Sequence, residues 1–141
     1  MEKVREDWTQ YRTDDEGDGP KFWELRDSFP EDFVRASFPT AVVIEWEYAE
    51  DGLPDQEALE QIHAFEQQIT GLNNPTGNSI KVHIIRGSGL SELCYYVRDY
   101  DTFMRELNGA LASSPKLPIQ IEFFQDPEWQ YRSSIISNFA S

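Results

Sequence analysis

Cysteine is almost absent: Cys94 stands alone in 141 residues, so no disulfide can form within the chain. A lone thiol fits a reducing compartment. Long apolar runs are missing too, and nothing approaches the roughly 20 consecutive apolar residues that a spanning helix needs. The opening MEKVREDWTQ holds no apolar signal core, which leads to the expectation of a cytoplasmic protein. Positive charge is scarce. Twelve Lys and Arg face 26 Asp and Glu, for a net charge of −14, and the basic residues form no cluster. Nucleic-acid binding draws most of its affinity from basic side chains on phosphates, so the composition argues against that partner and against an anionic membrane. The same excess of acid favours solubility and speeds encounter with a basic protein.

Metal chemistry lacks its usual spacings. No CxxC, HExxH or calcium-loop pattern occurs, and His63 and His83 lie far apart in sequence. The acidic run DDEGDG at 14–19 lacks the ordered ligand series of a calcium loop and reads as a surface turn. GSG at 87–89 has no phosphate-loop context and no helix after it, so it reads as a hairpin turn. No catalytic, cofactor-binding or metal-binding residue is assigned on these grounds.

What the chain does have is aromatic and apolar residues in regular patterns. Aromatics make up 13% of it and apolar residues 39%. A chain of this length buries roughly 68–70% of its unfolded surface, enough for a core without disulfides or metals. From residue 41 onward a β-α-β pattern is written twice. The first copy is AVVIEWEY (41–48), a helix over 54–70 and NSIKVHII (78–85); the second is ELCYYVRD (92–99), a helix over 100–113 and PIQIEFF (118–124). In the first strand Val42, Ile44, Trp46 and Tyr48 alternate with Val43, Glu45 and Glu47, the period of a half-buried strand. Leu59, Ile62, Phe65 and Ile69 give the first helix an apolar stripe, with Pro54 at its start and Gly71 at its stop. Phe103, Leu107, Ala110 and Leu111 give the second helix its stripe, and Asp101 is placed to cap it. Right-handed crossovers then yield an α+β, ferredoxin-like split β-α-β fold, with four antiparallel strands in the order 4-1-3-2 and both helices on one face.

Residues 1–40 read as an N-terminal extension that packs on a ferredoxin-like domain over 41–141, one structural domain in all. EDWTQYR (6–12) and KFWELRD (21–27) flank the acidic run as the two aromatic strands of a hairpin. Phe29, Phe33 and Val34 are spaced for one or two helical turns after Pro30. The sheet face away from the helices is expected to carry Val43, Glu45, Glu47, Lys81, His83, Ile85, Cys94, Tyr96, Arg98, Gln120, Glu122 and Phe124. That set is too polar for a second core and too apolar for a plain solvated face; either the N-terminal aromatics cover it or a partner does. Cross-strand pairing of the glutamates with Lys81 and Arg98 is the ordinary expectation for these charges. Cys94 and His83 share the face and form the one catalytic-looking pair the topology permits, without a third group to orient them. Tyr96 sits where RNA-binding sheets stack bases, a reading that the neighbouring glutamates and the net charge oppose.

Two short strings carry a likeness to a known family. DWTQY (7–11) opens the chain. PIQIEFFQDPEWQYR (118–132) closes it, with Asp126, Pro127, Glu128, Trp129 and Tyr131 after a strand, and RDYDTFMRELNGAL lies between. Over nearly its whole length the chain resembles the bacterial family known as domain of unknown function 695. No activity comes with that resemblance. Members sometimes occur with domains similar to the ribonuclease E inhibitor called regulator of ribonuclease activity B, which acts by binding a protein, so the resemblance implies a non-catalytic role. Read from the residues, Asp126 caps a turn and Pro127 ends the ladder. Trp129 and Tyr131 either fold back as apolar cover or, with Glu128, form a recognition patch. The expected function is a non-catalytic protein-binding module, in its sharpest form an acidic inhibitor or immunity-type protein facing a basic target. Its interaction surface would comprise Glu45, Glu47, Lys81, His83, Tyr96, Arg98, Glu122 and Phe124 on the sheet, with Trp129 and Tyr131 from the C-terminal segment. Two alternatives stand beside it. One is self-association through the same face with a structural or small-ligand role. The other is an enzyme using the open-face carboxylates or Cys94.

Overall fold

In the computed structural model, which describes residues 2–5, 8–15, 19–49, 52–114 and 116–138, one antiparallel sheet runs through the molecule. Its strands are β1 (Glu2–Arg5), β2 (Trp8–Asp15), β3 (Gly19–Arg26), β4 (Thr40–Glu47), β5 (Ser79–Gly87), β6 (Leu90–Val97) and β7 (Ile119–Gln125), in the order β1-β2-β3-β5-β6-β4-β7. The helices are α1 (Gln56–Gln68), α2 (Tyr100–Ala110) and α3 (Gln130–Ile136). Within the sheet, β5-β6-β4-β7 is the split β-α-β arrangement, with α1 and α2 as its crossovers. Asp7 and parts of the acidic run at 14–19 and of the turn at 49–54 lie outside the described residues. No helix among the described residues is long and apolar enough to cross a membrane.

The main core follows from alternation. Val42, Ile44 and Trp46 of β4 and Leu93, Tyr95 and Val97 of β6 meet Ile62 and Phe65 of α1 and Phe103 and Leu107 of α2. Ring contacts tie the layers: Trp46 lies 5.3 Å from Phe65, and Tyr95 lies 5.2 Å from Phe103. Each helix begins two residues from where its sequence points. Asp55, after Pro54, accepts from the Ala58 N–H at 2.8 Å, and Asp99, not Asp101, accepts from the Thr102 N–H at 3.0 Å. Asp99 keeps extended backbone, as a cap must, while Asp101 falls in the first turn of α2, where its charge faces the positive helix end.

β2 and β3 form a hairpin that lengthens the sheet at the β5 edge, with Phe22 opposite Arg86 and Leu25 opposite His83. The hairpin therefore stands beside β5 and leaves the open face to other segments. Gly87 makes the junction possible: a Cβ there would sit 2.5 Å from Lys21 Cγ and 3.0 Å from the Pro20 carbonyl oxygen. Between β3 and β4 a turn closed by the Phe33 N–H on the Pro30 carbonyl, at 3.0 Å, is followed by one 3-10 turn at Arg35–Ser37, where Phe29, Phe33 and Val34 suggest one or two helical turns.

β5 departs from the alternation its sequence spells. Lys81 pairs with Tyr95 and His83 with Cys94, so Val82 is left over as a bulge. One extra residue exchanges the faces on its N-terminal side. Ile80 and Val82, expected against the helices, join the cluster on the open face. Lys81, expected on the open face, is carried to the helix side, where it comes near Trp8 and Tyr95.

Candidate interaction surface

The open face divides into a sealed part and a bare part. α3 and residues 27–39 seal it over β5, β6 and the first half of β4, where Ala41 and Val43 are buried, and Trp129 is the centre of that seal. Its buried ring stacks on Tyr96 with centroids 4.1 Å apart and planes at 14°. Its indole N–H donates to the Phe38 carbonyl at 3.0 Å. Phe29 and Phe33 each meet it edge-on at 5.7 Å. The φ of Trp129 is +59°, a left-handed conformation that is costly for a bulky side chain. Burial and a turn bond from its N–H to the Asp126 carbonyl, at 3.0 Å, hold it there.

Asp126 joins this seal to the sheet. Its carboxylate accepts from the Tyr96 O–H at 2.6 Å, from the Gln130 N–H at 2.8 Å and from the Tyr131 N–H at 2.9 Å. Burial opposes its ionisation, but these bonds outweigh burial and hold the carboxyl below its usual range. Glu92 plays the matching part on β6. It accepts from His83 Nε2 at 2.7 Å and from the Tyr131 O–H at 2.6 Å. Burial again works against its charge, and the bonds from His83 and Tyr131 again bring its pKa below the ordinary value. Cys94 lies opposite His83, yet it is fully buried. Burial, with Glu92 and Asp126 nearby, raises its thiol well above the usual value. A thiol held protonated and out of solvent is a poor nucleophile.

Three residues expected at an interaction surface are therefore interior. Tyr96 and Trp129 are wholly buried and His83 is 1% exposed, because α3 and the 27–39 segment close over them. Tyr131 is half-buried and fastens α3 to Glu92. Of the two readings of the C-terminal aromatics, Trp129 and Tyr131 act as apolar cover.

The expected charge pairing does not form either. Lys81 has been moved to the other face by the bulge. Arg98 lies past the end of β6, donates to the Gly77 carbonyl at 2.6 Å and covers the Phe38 ring at 4.3 Å. Among the described residues no Lys or Arg reaches Glu45, Glu47 or Glu122 within ion-pair distance. These glutamates make up the bare part of the face, along β4 and β7, with Phe124 37% exposed beside them. Glu45 stands directly opposite Glu92 in the register. Burial, then the charges of Glu92 and Glu122, raise the Glu45 carboxyl above its ordinary value. A hollow of about 480 Å³ at the end of this margin is lined by Glu45, Glu47, Leu90, Pro118 and Lys116.

Several cations are engaged inside. Arg86 holds Glu66 at 2.8 Å, with both side chains largely buried. Arg132 is buried and donates to the Arg26 carbonyl at 2.9 Å, and burial together with nearby Arg35 brings it down to about 10. The helix side has its own cavity, of about 670 Å³, between the β2–β3 hairpin and α1, lined by Trp8, Glu24, His63, Glu66, Lys81 and Arg86 among others. It went unforeseen because it exists only where β3 extends the sheet beyond α1, a tertiary fact with no local signal. Among the described residues no group of three or more His, Cys, Asp or Glu is placed to hold a metal ion.

Compared with known proteins, residues 6–134 match the model of a family of unknown function, DUF695. No curated protein matches the chain.

Proposed function

The chain belongs to this family, whose description assigns no activity, and we propose that it is a non-catalytic binding module that offers the bare acidic margin of its sheet to a basic protein. The observation that carries this reading is the unpaired set Glu45, Glu47 and Glu122, left open where the rest of the face is sealed. Like charges on neighbouring strands destabilise a sheet. Burial first, and then the charges of Glu92 and Glu122, raise the Glu45 carboxyl, and a partner's Lys or Arg would relieve the part due to charge. The net charge of −14 would steer a basic partner toward encounter. In this reading Tyr96, His83, Trp129 and Tyr131 act indirectly: they fix α3, which frames the margin. Docking of this kind suits an acidic inhibitor or immunity-type protein, which occludes a basic target by charge complementarity.

The experiment is affinity capture with the wild-type chain and with the E45R/E47R/E122R variant, each at low and high salt. The reading predicts a basic protein held by the wild type at low salt, released at high salt and not held by the variant. Equal retention by both chains overturns it.

A further inference from the structure

We propose that β7 takes up an extended segment of the partner as an added antiparallel strand, one whose side chains alternate Lys or Arg with apolar residues. The inference rests on the acidic-margin reading and states how that margin is engaged.

β7 is an outer strand, and no described strand pairs with its far edge. The ladder to β4 decides which of its backbone groups face outward. The Asp126 N–H bonds the Pro39 carbonyl at 2.7 Å, and the Glu47 N–H bonds the Pro118 carbonyl at 3.3 Å. Both couples fit the β4–β7 register, and hydrogen-bonded couples alternate along an antiparallel pair. Glu122 and Phe124 therefore turn their N–H and C=O toward β4. Ile121, Phe123 and Gln125 turn theirs outward.

Sheet edges are ordinarily blunted by proline, lysine, a bulge or shortness. Of such devices β7 carries only the charge of Glu122: IQIEFFQ runs for 7 residues without Pro, Lys or Arg, and it pairs with β4 without a register shift. Large hydrophobic residues are exposed among the described residues at Val34, Phe123 and Phe124, and two of these sit on β7, one on each face. Phe123 stacks on Tyr100 at 3.8 Å, and Phe124 meets Tyr131 edge-on at 5.6 Å. An added strand would extend both rows of side chains.

Charge selects the occupant. A second copy of β7 paired antiparallel about its centre sets Glu122 against Glu122, with −14 on each chain. A basic segment sets Lys or Arg against Glu122 instead, with Glu45 one strand further in across Gln120, and its apolar residues fall next to Ile121 and Phe123. Backbone pairing supplies the affinity and the alternating side chains the selectivity, as in other strand additions.

The geometry makes a backbone-specific test possible. A synthetic heptapeptide alternating lysine and valine is titrated against the full chain, together with versions N-methylated at the valines or at the lysines. The valines oppose Ile121 and Phe123, so their N–H groups are the ones that face β7. Methylation at valine is expected to weaken binding about tenfold or more, and methylation at lysine to do much less. On the protein side, Phe123→Pro removes an outward N–H and leaves the β4 ladder whole, and it should bind about tenfold more weakly than Phe123→Ala. The methylated peptides keep the test readable should Phe123→Pro unfold. Equal binding of both methylated peptides, with binding lost in E45R/E47R/E122R, overturns strand addition and leaves the acidic margin standing. Binding indifferent to every change overturns both. A wild-type dimer on sedimentation that Phe123→Pro dissolves assigns the edge to a second copy and overturns the basic occupant.

Discussion

Tyr96 on β6 and Trp129 ahead of α3 lie ring on ring, 4.1 Å apart, and neither is exposed to solvent. This contact makes the C-terminal segment part of the core. It seals the open face over β5, β6 and the first half of β4 and confines any docking on that face to the β4–β7 margin. Trp129→Ala should therefore cost roughly 3–5 kcal/mol in denaturant unfolding. Trp129→Phe keeps a ring on Tyr96 and loses the indole bond to the Phe38 carbonyl, for about 1 kcal/mol. An alanine variant as stable as the wild type would mean that the segment is not structural.

Asp126 and Glu92 set the acid limit of the fold. Both carboxyls have pKa values below their ordinary ones in the folded chain. Their stabilisation is complete above the unfolded carboxylate range, about pH 4, and is lost as pH falls through the lowered folded values. Asp126→Asn and Glu92→Gln should lower stability at neutral pH and flatten its decline in acid. Asp126→Asn combined with Tyr96→Phe should cost less than the sum of the two, since both remove one bond. Denaturation midpoints taken from neutral pH downward check both points.

Glu45 should behave in the opposite sense. Its pKa is raised on folding, so its charge weakens the folded state once pH passes the folded value. Glu45→Gln is expected to raise the melting temperature at neutral pH. The gain should vanish below the unfolded value of about 4.3. A melting temperature lowered at neutral pH would contradict the crowding of Glu45 by Glu92 and Glu122.

Cys94 should be silent in the native chain. Burial raises its thiol, and its side chain has no exposure. A thiol reagent at neutral pH should react only as fast as the chain opens, and fully in denaturant. Rapid reaction of the native protein would reopen a nucleophilic role.

The twofold β-α-β pattern was legible because periods of 2 and 3.6 survive folding. Val42, Ile44 and Trp46, like Phe103 and Leu107, face where their spacing puts them. The bulge at Val82 was not legible. Ile80, Val82 and Ile84 alternate cleanly in sequence, both faces of β5 are apolar, and no glycine or proline marks the extra residue. The error travelled to the site, since Lys81 was thereby placed beside glutamates it does not reach. Asp126 and Pro127 did announce a turn. Where Trp129 goes after that turn depends on Phe29, Phe33 and Phe38, which only tertiary packing brings to it. Glu45, Glu47 and Glu122 fall on one face by register alone, and that part of the site could be read directly.

Hydrogen exchange of the full chain, alone and with the lysine–valine peptide at low salt, tests strand addition at the acidic margin most directly. The account predicts slowed exchange along β7, greatest at the outward amides of Ile121, Phe123 and Gln125, and its loss at high salt. Slowing confined to the cavity between β3 and α1, or no slowing anywhere, would contradict it.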